Sequence, residues 1–256
     1  MPAKVYAFAN QKGGVGKTTT AINLGASVAA CERRVLLVDL DPQSNASSGI
    51  GVTEADPSMY DVLIENMPLR DIIRPTEIPT LYLAPSSTDL VGAEVELRDA
   101  IGREYYLKRV LEPIAADYDY ILIDSPPSLG LLTVNGLTAA NSVLVPLQAE
   151  YFALEGVTQL LATIERVRGA VNASLEIEGI VLTMYDERVN LARQVAEEVR
   201  NHFGEKVYKT IIPRNIRLSE APSFGKPIIL YDIRSRGSEA YVSLAREFIQ
   251  RAENVI

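Results

Sequence analysis

The sequence predicts a doubly wound α/β protein, a mostly parallel sheet flanked by helices on both faces. Three observations predict it. Short β-branched runs alternate with longer stretches of helical period along the 256 residues, the mark of repeated βαβ units. Runs as uniformly apolar as Val35-Leu-Leu-Val38 and Ile121-Leu-Ile123 suit strands covered on both faces. Glycines or carboxylates close several of these runs, as expected where a ligand sits beyond the carboxyl ends of parallel strands.

In chain order, strands are expected at 5–9, 35–39, 81–84, 120–124, 142–146, 177–184 and 207–212. Helices are expected at 17–30, 103–116, 131–140, 154–171, 191–203 and 238–252. With 47% hydrophobic residues and no Pro/Gly/Ser-rich linker, residues 1–256 are expected to form one domain. Asn10, Gln11 and Lys12 interrupt the first apolar run before a secretory core can form, and no window approaches the roughly 18 apolar residues of a membrane span. A cytoplasmic chain without membrane association is the expectation. The single Cys31 excludes an internal disulfide and reads as a packing residue, while the single His202 lies on a polar helical stretch and reads as solvated. Metal-hydrolase and histidine-based nucleophilic chemistry are thereby disfavoured.

The first apolar run feeds Asn10-Gln-Lys-Gly-Gly-Val-Gly-Lys-Thr-Thr19. A glycine loop ending in Gly16-Lys17-Thr18 is the layout of a nucleoside triphosphate cradle. Backbone N–H groups turn onto phosphate oxygens, Lys17 reaches the β- and γ-phosphates, and the Thr18 hydroxyl ligates Mg²⁺. The common form of this loop has glycine where this chain has Gln11, and it lacks a second lysine at Lys12. The second strand ends in Val38-Asp39-Leu-Asp41-Pro-Gln43 and the fourth in Ile121-Leu-Ile-Asp124-Ser-Pro-Pro127. An apolar run closing on Asp124 is the arrangement that anchors Mg²⁺ in phosphate-loop enzymes. Asp39 and Asp41, at alternate positions, would both stand near the phosphates, and spacing alone does not separate them.

Together with Thr183-Met-Tyr-Asp186 and Ile212-Pro-Arg-Asn-Ile-Arg-Leu-Ser-Glu-Ala-Pro222, these stretches resemble the ParA/Soj chromosome-partitioning ATPases, of the deviant Walker A type. They occur in family order over almost the whole chain, and the chain looks like the short form of the family. The resemblance implies that ATP and Mg²⁺ bind the loop through Lys12, Gly13, Gly14, Val15, Gly16, Lys17, Thr18 and Thr19, with Thr18, Asp41 and Asp124 at the metal. It implies that Lys12 crosses to the nucleotide of a second subunit in an ATP-dependent homodimer. Asp41 then matches the acidic residue needed for hydrolysis, and Met184, Pro213 and Asn215 match positions around the adenine. The catalytic set it implies is Lys12, Lys17, Asp41 and Asp124.

The formal charge is −8, but residues 188–236 hold ten basic side chains against five acidic ones, so that stretch carries +5 and the rest of the chain −13. It is the one plausible seat for phosphate contacts. By resemblance Arg188 and Arg217 match arginines implicated in non-specific binding of double-stranded DNA, and Arg214, Lys226, Arg234 and Arg236 extend the same face. The implied function is a nucleoid-associated partitioning ATPase whose ATP dimer binds DNA and is released by hydrolysis that a ParB-type centromere-binding protein stimulates. A MinD-like membrane-associated ATPase is the alternative. It would need a basic amphipathic C-terminal helix, whereas Arg246 and Arg251 here balance Glu247 and Glu253. An iron–sulfur reductase would need two cysteines per subunit, and a ligase or kinase a substrate pocket that the sequence does not reveal.

Overall fold

In the computed structural model, which describes residues 2–150 and 153–253, seven strands form one sheet. They are β1 (Lys4–Phe8), β2 (Val35–Asp39), β3 (Arg74–Pro75), β4 (Leu81–Ala84), β5 (Tyr120–Asp124), β6 (Ser142–Gln148) and β7 (Glu176–Thr183), in the order β3-β4-β2-β5-β1-β6-β7. Every pairing is parallel except that of β3, which runs antiparallel to β4 at the edge. The longer helices are α1 (Lys17–Ala29), α2 (Leu131–Ala139), α3 (Ala153–Ala170), α4 (Asn190–Phe203) and α5 (Arg236–Glu253).

Side-chain alternation along the strands divides the core. Tyr6, Phe8, Val35, Leu37, Tyr120 and Leu122 point to the face covered by α1 and α5, whose Leu24, Val28, Leu244 and Phe248 are sealed against them. Val5, Ala7, Leu36, Val38, Ile121 and Ile123 point to the opposite face, under α2, α3 and α4. Burial on both sides is why β2 and β5 read as unbroken apolar runs. β1 lies between β5 and β6, so the chain leaves it toward β2 on one side while β5 crosses to β6 on the other. The ends of β1, β2 and β5 therefore open into the crevice where α/β sheets hold ligands.

Two expected elements differ. The stretch 207–212 is not a continuous strand: it meets β7 at one isolated bridge, Ile180 to Val207, and through the Tyr208 and Ile212 N–H groups, which donate to the Ile180 and Leu182 carbonyls at 2.9 and 2.8 Å, and a second bridge, Tyr185 to Pro213, lies just beyond both segments. Between Tyr208 and Ile212 the N–H groups of Lys209 and Thr210 donate to the Glu247 carboxylate on α5, at 2.8 and 2.9 Å, which diverts the backbone from the ladder. The seventh strand is instead β3, two residues long and containing Pro75, too short to show any period. The helix expected at 103–116 is a 3₁₀ turn (Arg103–Tyr105), an α-helix (Tyr106–Leu111) and a second 3₁₀ segment (Glu112–Asp117). Pro113 has no N–H to continue the α ladder.

Candidate functional site

The loop after β1 is held open by contacts from two strands. Asn10 Nδ2 donates to the Pro146 carbonyl of β6 at 2.7 Å while Asn10 Oδ1 accepts from the Lys12 N–H at 3.0 Å. The Thr183 hydroxyl at the end of β7 donates to the Val15 carbonyl at 2.7 Å. Gly14 and Gly16 have φ of 74° and 80°, a left-handed backbone that glycine adopts without strain. Gly16 caps α1 with no side chain of its own, so the first-turn N–H groups and the positive end of the helix dipole face the crevice. A Cβ added at Gly13 or Gly14 would meet nothing within 4 Å.

The carboxylates at the strand ends behave differently from one another. Asp39 and Asp124 are register neighbours on β2 and β5. Asp124 Oδ1 accepts from Lys17 Nζ at 2.8 Å, with the two side chains 0% and 8% exposed. Its Oδ2 is buried with no protein partner among the described residues. Burial pushes the Asp124 carboxyl above the usual range, while Lys17 and the Thr18 hydroxyl pull it back. Asp39 is fully buried with both oxygens engaged: Oδ1 accepts from the Asp41 N–H at 3.1 Å, and Oδ2 accepts from the Ser47 N–H and hydroxyl at 2.8 and 2.7 Å. Burial first, and the Asp124 carboxylate second, push it up to about 7. Asp41 accepts from the Gln43 N–H at 3.0 Å and faces the crevice.

That crevice is a cavity of about 350 Å³ lined by loop 12–19 with Asp41, Gln43, Asn45, Pro127 and Met184. The structure thus gathers all eight loop residues, Asp41 and Met184, and places Asp124 behind them on Lys17. Gln43, Asn45 and Pro127 were not singled out from sequence; each follows a strand-end carboxylate by two to four residues, which is the signal that could have found them. Pro213 lies outside this lining, in a neighbouring groove, and Asn215 is outside both. Asn215 caps the short helix Ile216–Glu220, its side chain accepting from the Leu218 N–H at 3.3 Å.

The neighbouring groove, about 790 Å³, brings Arg188, Arg214 and Arg236 together beside Tyr185 and Pro213, with Asp186, Glu187 and Glu239 in the same lining. These arginines, with Arg217 and Arg234, are exposed, and Lys226 is half-buried. Several are paired. Arg188 Nε and Nη2 donate to Asp186 at 2.9 and 2.7 Å and hold that carboxyl down at about 2. Arg217 meets Glu220 at 2.8 Å and Asp232 at 3.5 Å, and Lys226 meets Glu77 at 3.3 Å. Lys12 pairs with Glu150. Exposed pairs of this kind contribute only about 0–1 kcal/mol, so a phosphate can displace the carboxylate.

Sheet order, glycine loop and Lys17–Asp124 pair define a phosphate-loop nucleoside triphosphatase. A family profile described as "AAA domain" matches residues 3–177. The chain is 58% identical over 254 residues to the chromosome partitioning protein ParA of Caulobacter vibrioides, covering 98% of this chain and 95% of that protein. It is 57% identical over 246 residues to the sporulation initiation inhibitor protein Soj of Bacillus subtilis, covering 95% and 97%. Among solved structures, cobyrinic acid a,c-diamide synthase from Mycobacterium smegmatis with bound ADP and magnesium superposes with a TM-score of 0.85 at 38% identity, covering 98% of this chain and 96% of that one. The chain belongs to the ParA/Soj family of chromosome-partitioning ATPases.

Proposed function

We propose that residues 1–256 act as a single ATPase domain that partitions DNA, with ATP and Mg²⁺ at the loop cavity and double-stranded DNA at the basic face of 188–236. The observation that carries this reading is the continuity at the end of β7. Met184 lines the nucleotide cavity, and the next four residues, Tyr185 to Arg188, line the neighbouring groove that holds Arg188, Arg214 and Arg236. One short segment therefore touches both ligands' surfaces, so occupancy of the first can alter the second.

In this reading the loop N–H groups and Lys17 bind the subunit's own phosphates, and Lys12 reaches the nucleotide of a second subunit. Thr18, with Asp41 and Asp124, would hold Mg²⁺; the unpartnered Oδ2 of Asp124 and the open space at Gly13 and Gly14 fit a charged ligand there. When bound, the cation supplies positive charge to the phosphate oxygens. Asp41 orients water at the cavity mouth, Met184 flanks the base, and Asn215 positions the segment that carries Arg214 and Arg217. A ParB-type protein would trigger hydrolysis and release of the dimer from the nucleoid, in the cytoplasm. The membrane-associated alternative finds less support: α5 already buries Tyr241, Leu244, Phe248 and Ala252 in the core, and no described helix is long and apolar enough to cross a membrane.

The test is retention of duplex DNA of unrelated sequence with no nucleotide, with ADP and with a slowly hydrolysed ATP analogue. Strong retention is expected with the analogue alone. Equal retention in all three conditions would overturn the coupling.

A further inference from the structure

Lys12 reaches Glu150 within its own chain, and both ends of that ion pair are tied to the same strand. The Lys12 N–H is fixed to Asn10, which is fixed in turn to Pro146 of β6. Two residues past β6, the Glu150 N–H donates back to the Gln148 carbonyl at 2.9 Å. The pairing is thus set by anchored backbone on both sides, at the rim of the nucleotide cavity that Lys12 lines.

We propose that Glu150 is a positioning residue for Lys12: it holds the ammonium beside its own loop, and breaking that pair sets the threshold at which two subunits join around nucleotide. The inference rests on the cross-subunit role proposed for Lys12. An ammonium that is to meet the neighbour's phosphates must first leave Glu150, and a symmetric dimer breaks two such pairs. The side chains are 41% and 46% exposed, so each pair has the modest strength of a surface ion pair. Two together, at about 0.2–1 kcal/mol each, correspond to about a two- to thirtyfold shift in the dimer dissociation constant.

Glu150→Gln removes the charge and keeps the shape. In sedimentation across a protein dilution series with a slowly hydrolysed ATP analogue and Mg²⁺, E150Q should dimerise at about two- to thirtyfold lower concentration than wild type. The gap should narrow as salt rises, because screening weakens the pair in the wild type. Glu150→Asp, which keeps the charge, should stay nearer the wild type, and Glu150→Ala should follow E150Q. A threshold unchanged or raised in E150Q and E150A, at wild-type thermal stability, would overturn the role of Glu150. Lys12→Gln separates this from the parent reading. If K12Q fails to dimerise, the cross-subunit role stands and the Glu150 variants judge the latch alone; if K12Q dimerises like the wild type, both fall.

Discussion

Asp39 and Asp124 stand side by side on paired strands, yet the surrounding groups give them opposite duties. Asp124 leans on the Lys17 ammonium and keeps one oxygen free, whereas Asp39 spends both oxygens on the backbone and hydroxyl of the 41–47 turn. Spacing could not separate Asp39 from Asp41, because alternate residues at a strand end can diverge once the strand stops. What separates them is the turn that brings Ser47 back over Asp39 and leaves Asp41 at the cavity. A pH dependence follows. With a folded pKa of about 7 against an unfolded value near 3.9, the folded state binds more protons between those limits, so this group's contribution to stability falls as pH rises through the window. The slope reaches at most about 1.4 kcal/mol per pH unit. Asp124 is raised as well, so the measurement is a difference: denaturant unfolding of wild type and Asp39→Asn without nucleotide, from pH 4 to 8. The wild type should lose stability relative to the variant up to about pH 7 and run parallel above it; curves parallel throughout would refute the assignment.

At the level of the element, β7 carries the least obvious packing. Its pairing with β6 shifts register between Val143 and Leu144, and the next β7 residue in register is Gly179. A Cβ there would lie 2.6 Å from the Lys206 carbonyl oxygen and 2.6 Å from the Tyr208 ring. Since one obstacle is backbone, Gly179→Ala is expected to cost about 1–3 kcal/mol, the range for overpacking, and to lower the Tm by roughly 2–12 °C. Gly169→Ala is the matched control, on α3 with nothing within 4 Å, where alanine should be neutral or stabilising; equal melting of both variants would contradict the packing argument. The same segment shows what the sequence made legible. Six of the strands and the five longer helices could be read because their apolar runs and periods report burial directly. The 207–212 run has a strand's composition, and Tyr208 and Ile212 still donate to β7, but the Lys209 and Thr210 N–H groups between them go to Glu247, a long-range partner that no local period announces. The loop and Asp124 were readable because glycine spacing and a strand-end carboxylate carry their own geometry. Gln43 and Asn45 carry only the weaker signal of standing two and four residues past Asp41, and Glu150 belongs to no such pattern; only the fold brings it to Lys12.

For the whole molecule, the proposed DNA binding has to be reconciled with a net charge of −8. In the proposed DNA binding, the −13 carried outside residues 188–236 disfavours contact there and leaves the stretch that holds Arg188, Arg214 and Arg236, with Arg217, Lys226 and Arg234. Arg188 and Arg217 are also the arginines most heavily paired, with Asp186 and with Glu220 and Asp232. The proposed phosphate binding would exchange one anion for another at these sites. Because each exchange also releases condensed counterions from the DNA, affinity should fall with salt at a log–log slope of about −0.9 per phosphate neutralised. Reversing Arg188 and Arg217 to Glu leaves Asp186, Glu220 and Asp232 without their cations and turns two attractive contacts into repulsive ones. The double variant should therefore bind duplex DNA more weakly with an ATP analogue present, and its salt slope should be shallower by about 1.8, two phosphates' worth. Neither arginine lines the nucleotide cavity, so the nucleotide-dependent dimer should form as in the wild type. A variant that dimerises normally and keeps the wild-type salt slope would show that these two arginines are a solvated face and that phosphate contacts lie elsewhere on 188–236.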